Sequence, residues 1–410
     1  MVQLSLSSED KLLLYCSRLS ISEDIKCKIE EILSNVLDWN YIVDCSIKQG
    51  ISPLFYWNLK KISNGKDVPS EVMKNLEKMY YSNLARNMLL YDELSKILTA
   101  FKKTGIDTIV LKGAFLAEEI YKNIGLRPMS DIDLLIKEKD LQKAKKELTE
   151  LKYSATSIFP TKLHEQFQTV WNEELPFIHQ NKKTIIEIHW DILPHESPYK
   201  VDINKFWNNA KTVKIAGIET LMLAPEDMLQ HLCLHLDKHI NSSVSPQIFK
   251  DYCDIAEVTR YYKNTLNWNY FLQSSKDYKI EEPIFHGLSI ANKYFEAFIP
   301  ENTLSELQTI KSDIGFEEIF KEAMEGNSDK KYSWINYVMN LKKIDGTWKK
   351  TLFLFGNVFP SKEFMIYRYP IKNEKQVYLY YLIRLGTFLH FGLLTLWQLP
   401  HYLLRSTFGK

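Results

Sequence analysis

Asp131 and Asp133 stand one residue apart at the mouth of an apolar run, Ile132-Asp133-Leu134-Leu135-Ile136. In a β-strand, side chains two positions apart share a face. The two carboxylates would therefore project together, while Ile132, Leu134 and Ile136 take neighbouring core positions. Like charges held this close repel, and a cation between them is the natural compensation. Hard oxygen donors with little His or Cys nearby suit Mg²⁺ better than a transition metal. On spacing alone, a strand that begins in solvent with two acids on an exposed edge fits equally well.

Upstream, Ile106 to Leu111 is rich in β-formers and runs straight into Lys112-Gly113 and a helical stretch, Ala114 to Tyr121. Strand, glycine turn and helix together aim backbone N–H groups at a phosphate, and Lys112 adds a point charge. Arg127-Pro128-Met129-Ser130 places another cation just before the acids, where it either serves the same anion or forms a structural ion pair with Asp131. Downstream, Leu175 to Gln180, a polar Asn181-Lys182-Lys183 turn and Thr184 to Trp190 form a β-hairpin pattern. Glu187 sits amid the β-formers of its second strand. A charge is costly there unless it is paired or ligating, although a solvated sheet face beside His189 fits the pattern too.

Taken together, Lys112-Gly113, Arg127 to Leu134 and Ile186-Glu187-Ile188-His189-Trp190 resemble the polymerase-β-like nucleotidyltransferase superfamily. Within it, the chain is similar to the bacterial uncharacterised nucleotidyltransferase family, over about residues 80 to 260. The resemblance implies an α+β fold, a small mixed-sheet nucleotidyltransferase core embedded between N- and C-terminal helical modules. It implies transfer of a nucleoside monophosphate from an NTP, with ATP expected, to a hydroxyl of a small molecule, peptide or protein, with release of pyrophosphate. Asp131, Asp133 and Glu187 would be the catalytic and metal-holding acids for two Mg²⁺ ions. Lys112, Gly113, Arg127 and Ser130 would bind nucleotide, and His189 and His235 would edge a substrate groove. One departure is Gly113-Ala114, where many members carry Gly-Ser or Gly-Gly-x-Ser. Another is a longer gap from Gly113 to Asp131. These departures keep an alternative open, a non-catalytic nucleotide-binding or regulatory module on the same fold.

The surrounding chain must position these residues. Ser22 caps an amphipathic stretch to Leu33, and Val68-Pro69-Ser70 opens a long run to about Lys103 that Gly105 closes. Lys60 to Asp67 reads as a loop. After the acids come a helix over Lys139–Leu151, a strand over Tyr153–Phe159, and a connecting helix or lid over Pro160–Trp171. A second hairpin turns at Ala216-Gly217, and Pro225 starts a helix. The resulting expectation is a helical module over 1–100, the α/β core over 101–224, a flanking helical module over 225–300 and a C-terminal helical region over 301–410.

In the Pro225 helix, His231, His235 and His239 recur every four residues. One metal seldom meets three histidines over two turns, so lining a groove or bonding internally is the favoured reading. Asp251 and Asp254 read as a solvated face or a cap.

The 52 basic and 51 acidic residues nearly cancel, so no strong nucleic-acid signature is present. Five scattered cysteines without Cys-x-x-Cys spacing, and an N-terminus without a signal pattern, fit a reduced cytoplasmic setting. From Val377 to Leu404 the chain is apolar, broken by Arg384, His390, Gln398 and Pro400, and the stretch after Arg384 approaches a membrane-spanning length of about 20 residues. Gly386, His390, Gly392 and Gln398 interrupt it, so a buried or interfacial helix is favoured over membrane contact through 385–404.

Overall fold

The alternation of apolar residues in the central third builds a mixed sheet whose strand order sets out the acids. A computed structural model describes residues 6–63, 67–155, 161, 173–182, 184–194, 197–240, 247–307, 346–362, 364–365, 369 and 376–386. The strands are β1 (Thr108–Val110), β2 (Ile132–Ile136), β3 (Tyr153–Ala155), β4 (Glu174–His179), β5 (Ile185–His189), β6 (Lys211–Ile215) and β7 (Ile218–Met222). They lie in the order β3-β4-β5-β2-β1-β7-β6. β2 runs parallel to β5 and antiparallel to β1, and both expected hairpins, β4–β5 and β6–β7, form. Ala216 and Gly217 take positive φ, 51° and 76°, as a tight two-residue hairpin turn requires. With its helices, this is an α+β fold.

Register fixes the chemistry. Ile132 pairs with Ile186 and Leu134 with Ile188, so one face of the central strands is apolar and fully buried. One residue out of phase, Asp133 pairs with Glu187 and Leu135 with His189, so both acids share the opposite face. Successive strand side chains alternate faces, which is why a single register serves both core and site.

The 34-residue helix Ser70–Lys103 is the main support of the segment before β2. Asn83, Arg86 and Asn87 lie at helical spacing and donate to the carbonyls of Gly125 (2.9 Å), Ser130 (3.1 Å) and Arg127 (2.9 Å), respectively. Irregular backbone near a buried site needs such partners. The same helix buries Glu93, which accepts from Lys182 (2.6 Å), Lys96 (2.8 Å) and Tyr153 (2.9 Å). These bonds tie the helix to β3 and to the β4–β5 turn. Burial alone would raise the Glu93 carboxyl, but these partners outweigh it and hold it down at about 2.

Several local expectations change. The helix Ser52–Ser63 covers Lys60 and Lys61, which were read as loop. Their charged ends lie over the rings of Tyr56 and Trp57, so lysines that look loop-like in sequence extend a helical face. The expected helix after Gly113 begins at Lys112 and passes into a π-helical turn, Leu116–Ile120. The expected helix and strand after the acids form over Leu141–Glu150 and Tyr153–Ala155. Pro160–Trp171 falls outside the described residues except for position 161.

By its internal contacts the chain separates into two units. One comprises Met1–Ser154 with Glu173–Ser328, and the other Ala155–Asn172 with Asp329–Lys410. The first carries the sheet, apart from Ala155 at the end of β3, and every residue of the site described below. In the second, the helix Thr347–Val358 is followed by a helical stretch over 376–386. There Tyr381 donates to the Pro360 carbonyl (2.6 Å), and Tyr369 stacks on Tyr380. Among the described residues no helix is long and apolar enough to cross a membrane. Positions 387–404 of the apolar terminal stretch lie outside them.

Candidate active site

The acid-bearing face of β2 and β5 opens on a cavity of about 360 Å³. Its other wall is built by the helices Pro225–Ile240 and Ile248–Tyr261. Asp131, Asp133 and Glu187 all line it, together with Lys112, Gly113, Arg127, Ser130 and His235. The structure therefore gathers the residues singled out in the sequence into one space, with the exception of His189. That side chain, 2% exposed, lies beneath the cavity rather than edging a groove.

Asp133 is the electrostatic centre. Its Oδ1 lies 3.2 Å from Lys112 Nζ and 3.0 Å from His189 Nε2, and all three side chains are buried. Burial would raise the Asp133 carboxyl, yet the Lys112 charge and the His189 hydrogen bond hold it well below the usual carboxylate range. Lys112 is held above its ordinary value despite the burial that opposes its charge, because Asp133, Glu174 and Glu187 surround it. The lysine expected to meet a phosphate is therefore committed to the acids in this state. Asp131 is raised by burial and by the charge of Asp133, and Ser130 Oγ donates to its Oδ2 at 2.8 Å. Ser130 thus orients Asp131.

Glu187 is pushed up to about 8, first by burial and then by the negative charges of Asp133, Glu174 and Asp131. One donor atom each from Asp133, Glu187 and His189 lies within 4.8 Å of the others. A raised carboxyl beside ionised ones is what a divalent cation would relieve, and the oxygen donors of Asp133 and Glu187 suit Mg²⁺, with Asp131 lining the same cavity outside this grouping. The pH dependence follows with its sign. A carboxyl raised on folding contributes stability that is full below its unfolded value and lost as pH rises through its folded value. In chelator-treated protein, urea denaturation is therefore expected to show stability falling between about pH 5 and 8. Glu187→Gln is expected to flatten that fall, and an unchanged slope in the variant would refute this assignment of the charge.

Gly113 does not form the expected glycine turn. The positive φ, 36°, belongs to Lys112, and Gly113 is already helical. Glycine is needed there for room, since a Cβ would stand 2.9 Å from Arg127 Nη1 and 3.2 Å from the Met129 side chain. Arg127 lines the cavity but pairs with Asp254 and not with Asp131. Its guanidinium grips Asp254 through Nε (3.0 and 3.1 Å) and Nη2 (2.7 Å), with both side chains almost fully buried. Tyr121 OH adds a third donor to the same carboxylate at 2.8 Å.

Asp251 and Asp254, read as a solvated face, are therefore buried and paired, Asp251 with His239 at 2.8 Å. Their partners come from distant segments, which local spacing does not show. Sequence reasoning also missed Glu174, Lys238 and Lys250 on the cavity wall. For Glu174 a signal existed, because it opens the first strand of the hairpin directly opposite His189, whose Nδ1 lies 3.4 Å from its Oε2.

A mixed sheet with acids in register on neighbouring parallel strands, roofed by helices, is the arrangement of a nucleotidyltransferase. The sequence model described as "Uncharacterised nucleotidyltransferase" matches residues 35–296, and the chain belongs to that family. No curated protein matches it. Among solved structures, it is similar to the solution structure of the antibiotic-resistance factor ANT(2'')-Ia. There the identity is 9%, with 49% of this chain and 97% of that chain covered and a TM-score of 0.33. It is also similar to the crystal structure of an antigenic nucleotidyltransferase-like protein from Paracoccidioides brasiliensis. In that case the identity is 15%, 50% of this chain and 92% of that chain are covered, and the TM-score is 0.31.

Proposed function

We propose that this protein transfers a nucleoside monophosphate from an NTP, with ATP expected, to a hydroxyl of a small molecule, peptide or protein. The acceptor oxygen bonds to the α-phosphorus, the bridging P–O bond to the β-phosphate breaks, and pyrophosphate leaves. The observation that carries this reading is the direct pairing of Asp133 with Glu187 on parallel strands, with Asp131 two residues before Asp133, all three facing one cavity. Mg²⁺ held by Asp131, Asp133 and Glu187, two ions on the family resemblance, would supply charge neutralisation along the triphosphate.

The chain's own residues do the rest. Asp133 stays ionised, Ser130 fixes the direction of Asp131, and Lys112 supplies a buried positive charge beside them. Glu187 would share the cation that lowers the pKa of the acceptor hydroxyl, or alternatively, as an ionised carboxylate, take that hydroxyl's proton directly.

A second reading, nucleotide binding without turnover, draws on the ion pair that occupies Lys112 and Asp133. Incubation with each NTP labelled at the α-phosphorus, with Mg²⁺ and a host extract, separates the two. Label transferred from one NTP is the expected result, with loss in Asp131→Asn combined with Asp133→Asn. Full labelling by the double variant would overturn the assignment of the acids. Saturable nucleotide binding with no transfer would select the second reading.

A further inference from the structure

The helical wall of the cavity has a donor set of its own, of a different chemistry from the strands. His235 and His239 lie four residues apart on Pro225–Ile240, so their rings share one helix face, with centroids 4.0 Å apart. Asp251 comes from the neighbouring helix Ile248–Tyr261 and is 7% exposed. Its Oδ2 lies 2.8 Å from His239 Nδ1. One donor atom from each of the three residues lies within 4.8 Å of the others, and all three line the cavity. The third histidine of the stripe does not take part in this grouping. His231 is 3% exposed and its ring centroid is 6.3 Å from that of His235. The third donor is supplied by a different helix, which the four-residue spacing could not reveal.

We propose that His235, His239 and Asp251 form a binding site for one transition-metal dication of the zinc class, separate from the oxygen site on the strands. Two imidazoles and one carboxylate favour such ions over Mg²⁺, which prefers oxygen donors and retained water. A dication would take the place of the hydrogen shared by His239 Nδ1 and Asp251 Oδ2, atoms 2.8 Å apart, with a ring nitrogen of His235 as the third donor. Three protein donors leave a coordination position open to the cavity, as in sites where a metal holds an atom of a bound molecule.

The experiment needs no enzymatic readout, so it stands or falls independently of nucleotidyl transfer. Full-length protein, stripped with chelator and kept in excess Mg²⁺ to fill the oxygen site, is titrated with Zn²⁺ by calorimetry. One ion per chain is expected for the wild type and for Glu187→Gln, with at least about tenfold weaker binding in His235→Ala and in Asp251→Asn. Zinc X-ray absorption on the wild type guards against variants that fail to fold, and a spectrum with two imidazole ligands is expected. No zinc binding by the wild type in Mg²⁺ would overturn the proposal. A spectrum with a single imidazole would also overturn it, by placing the ion at Asp133, Glu187 and His189.

Discussion

Asp133→Asn is expected to reduce nucleotidyl transfer by about a thousandfold, the scale at which removing one electrostatic contact of a transition state is felt. It is also expected to cost stability, which its place beside the other acids would not suggest. Asp133 is the nearest partner of a buried lysine, and removing one member of a buried ion pair leaves the other charge uncompensated, at a cost of about 3 kcal/mol. Glu174 and Glu187 remain near Lys112 and hold that cost toward the lower end. The two effects separate in a double-mutant cycle. Adding Lys112→Met to Asp133→Asn should return most of the lost stability in urea denaturation, since no charge is then stranded. Labelled transfer should stay at background. If activity recovered with stability, Asp133 would be a structural partner of Lys112 and no more.

Arg127→Met should lower the stability of the fold by about 3–5 kcal/mol, the largest single effect expected away from the acids. The guanidinium makes three contacts with Asp254, both side chains being almost fully buried, and Met would leave that carboxylate with only Tyr121 among these donors. Asp254→Asn should cost a comparable amount by stranding Arg127. Combining Arg127→Met with Asp254→Leu should cost clearly less than the sum of the single losses, because neither charge is then left alone. Chemical denaturation of the four proteins measures this. Additive losses would mean that the two side chains act separately and that the pair does not hold the helical wall to the segment before β2.

The strand geometry was legible because it is local. The Asp131–Asp133 spacing, the β-formers around Glu187 and the polar hairpin turn depend on neighbours within a few residues, and the register that pairs Asp133 with Glu187 follows from burying the alternate apolar face. The ion-pair partners of the cations were not legible, for a physical reason. A buried arginine takes whichever carboxylate the tertiary structure brings to it, and for Arg127 that was Asp254 rather than adjacent Asp131. Lys112 likewise turned to Asp133, although the helix following it suggested a phosphate. Gly113 was rightly marked as special but for the wrong reason, since it makes space for Arg127 and Met129 instead of turning the chain. The His235, His239 and Asp251 grouping needs the packing of two helices, and no periodicity along one of them contains it.

The clasp between Arg127 and Asp254 also bears on when the site can exist. Its members are separated by 127 positions, and the last wall of the cavity is written after all three acids. Contacts of such long range form late, because the intervening chain must first give up its freedom. A polypeptide still emerging from the ribosome would thus carry Asp131, Asp133 and Glu187 without the chamber that encloses them. The chamber that would enclose them is complete only once the Ile248–Tyr261 helix has been made, and a product that stops short of it lacks the partner of Arg127.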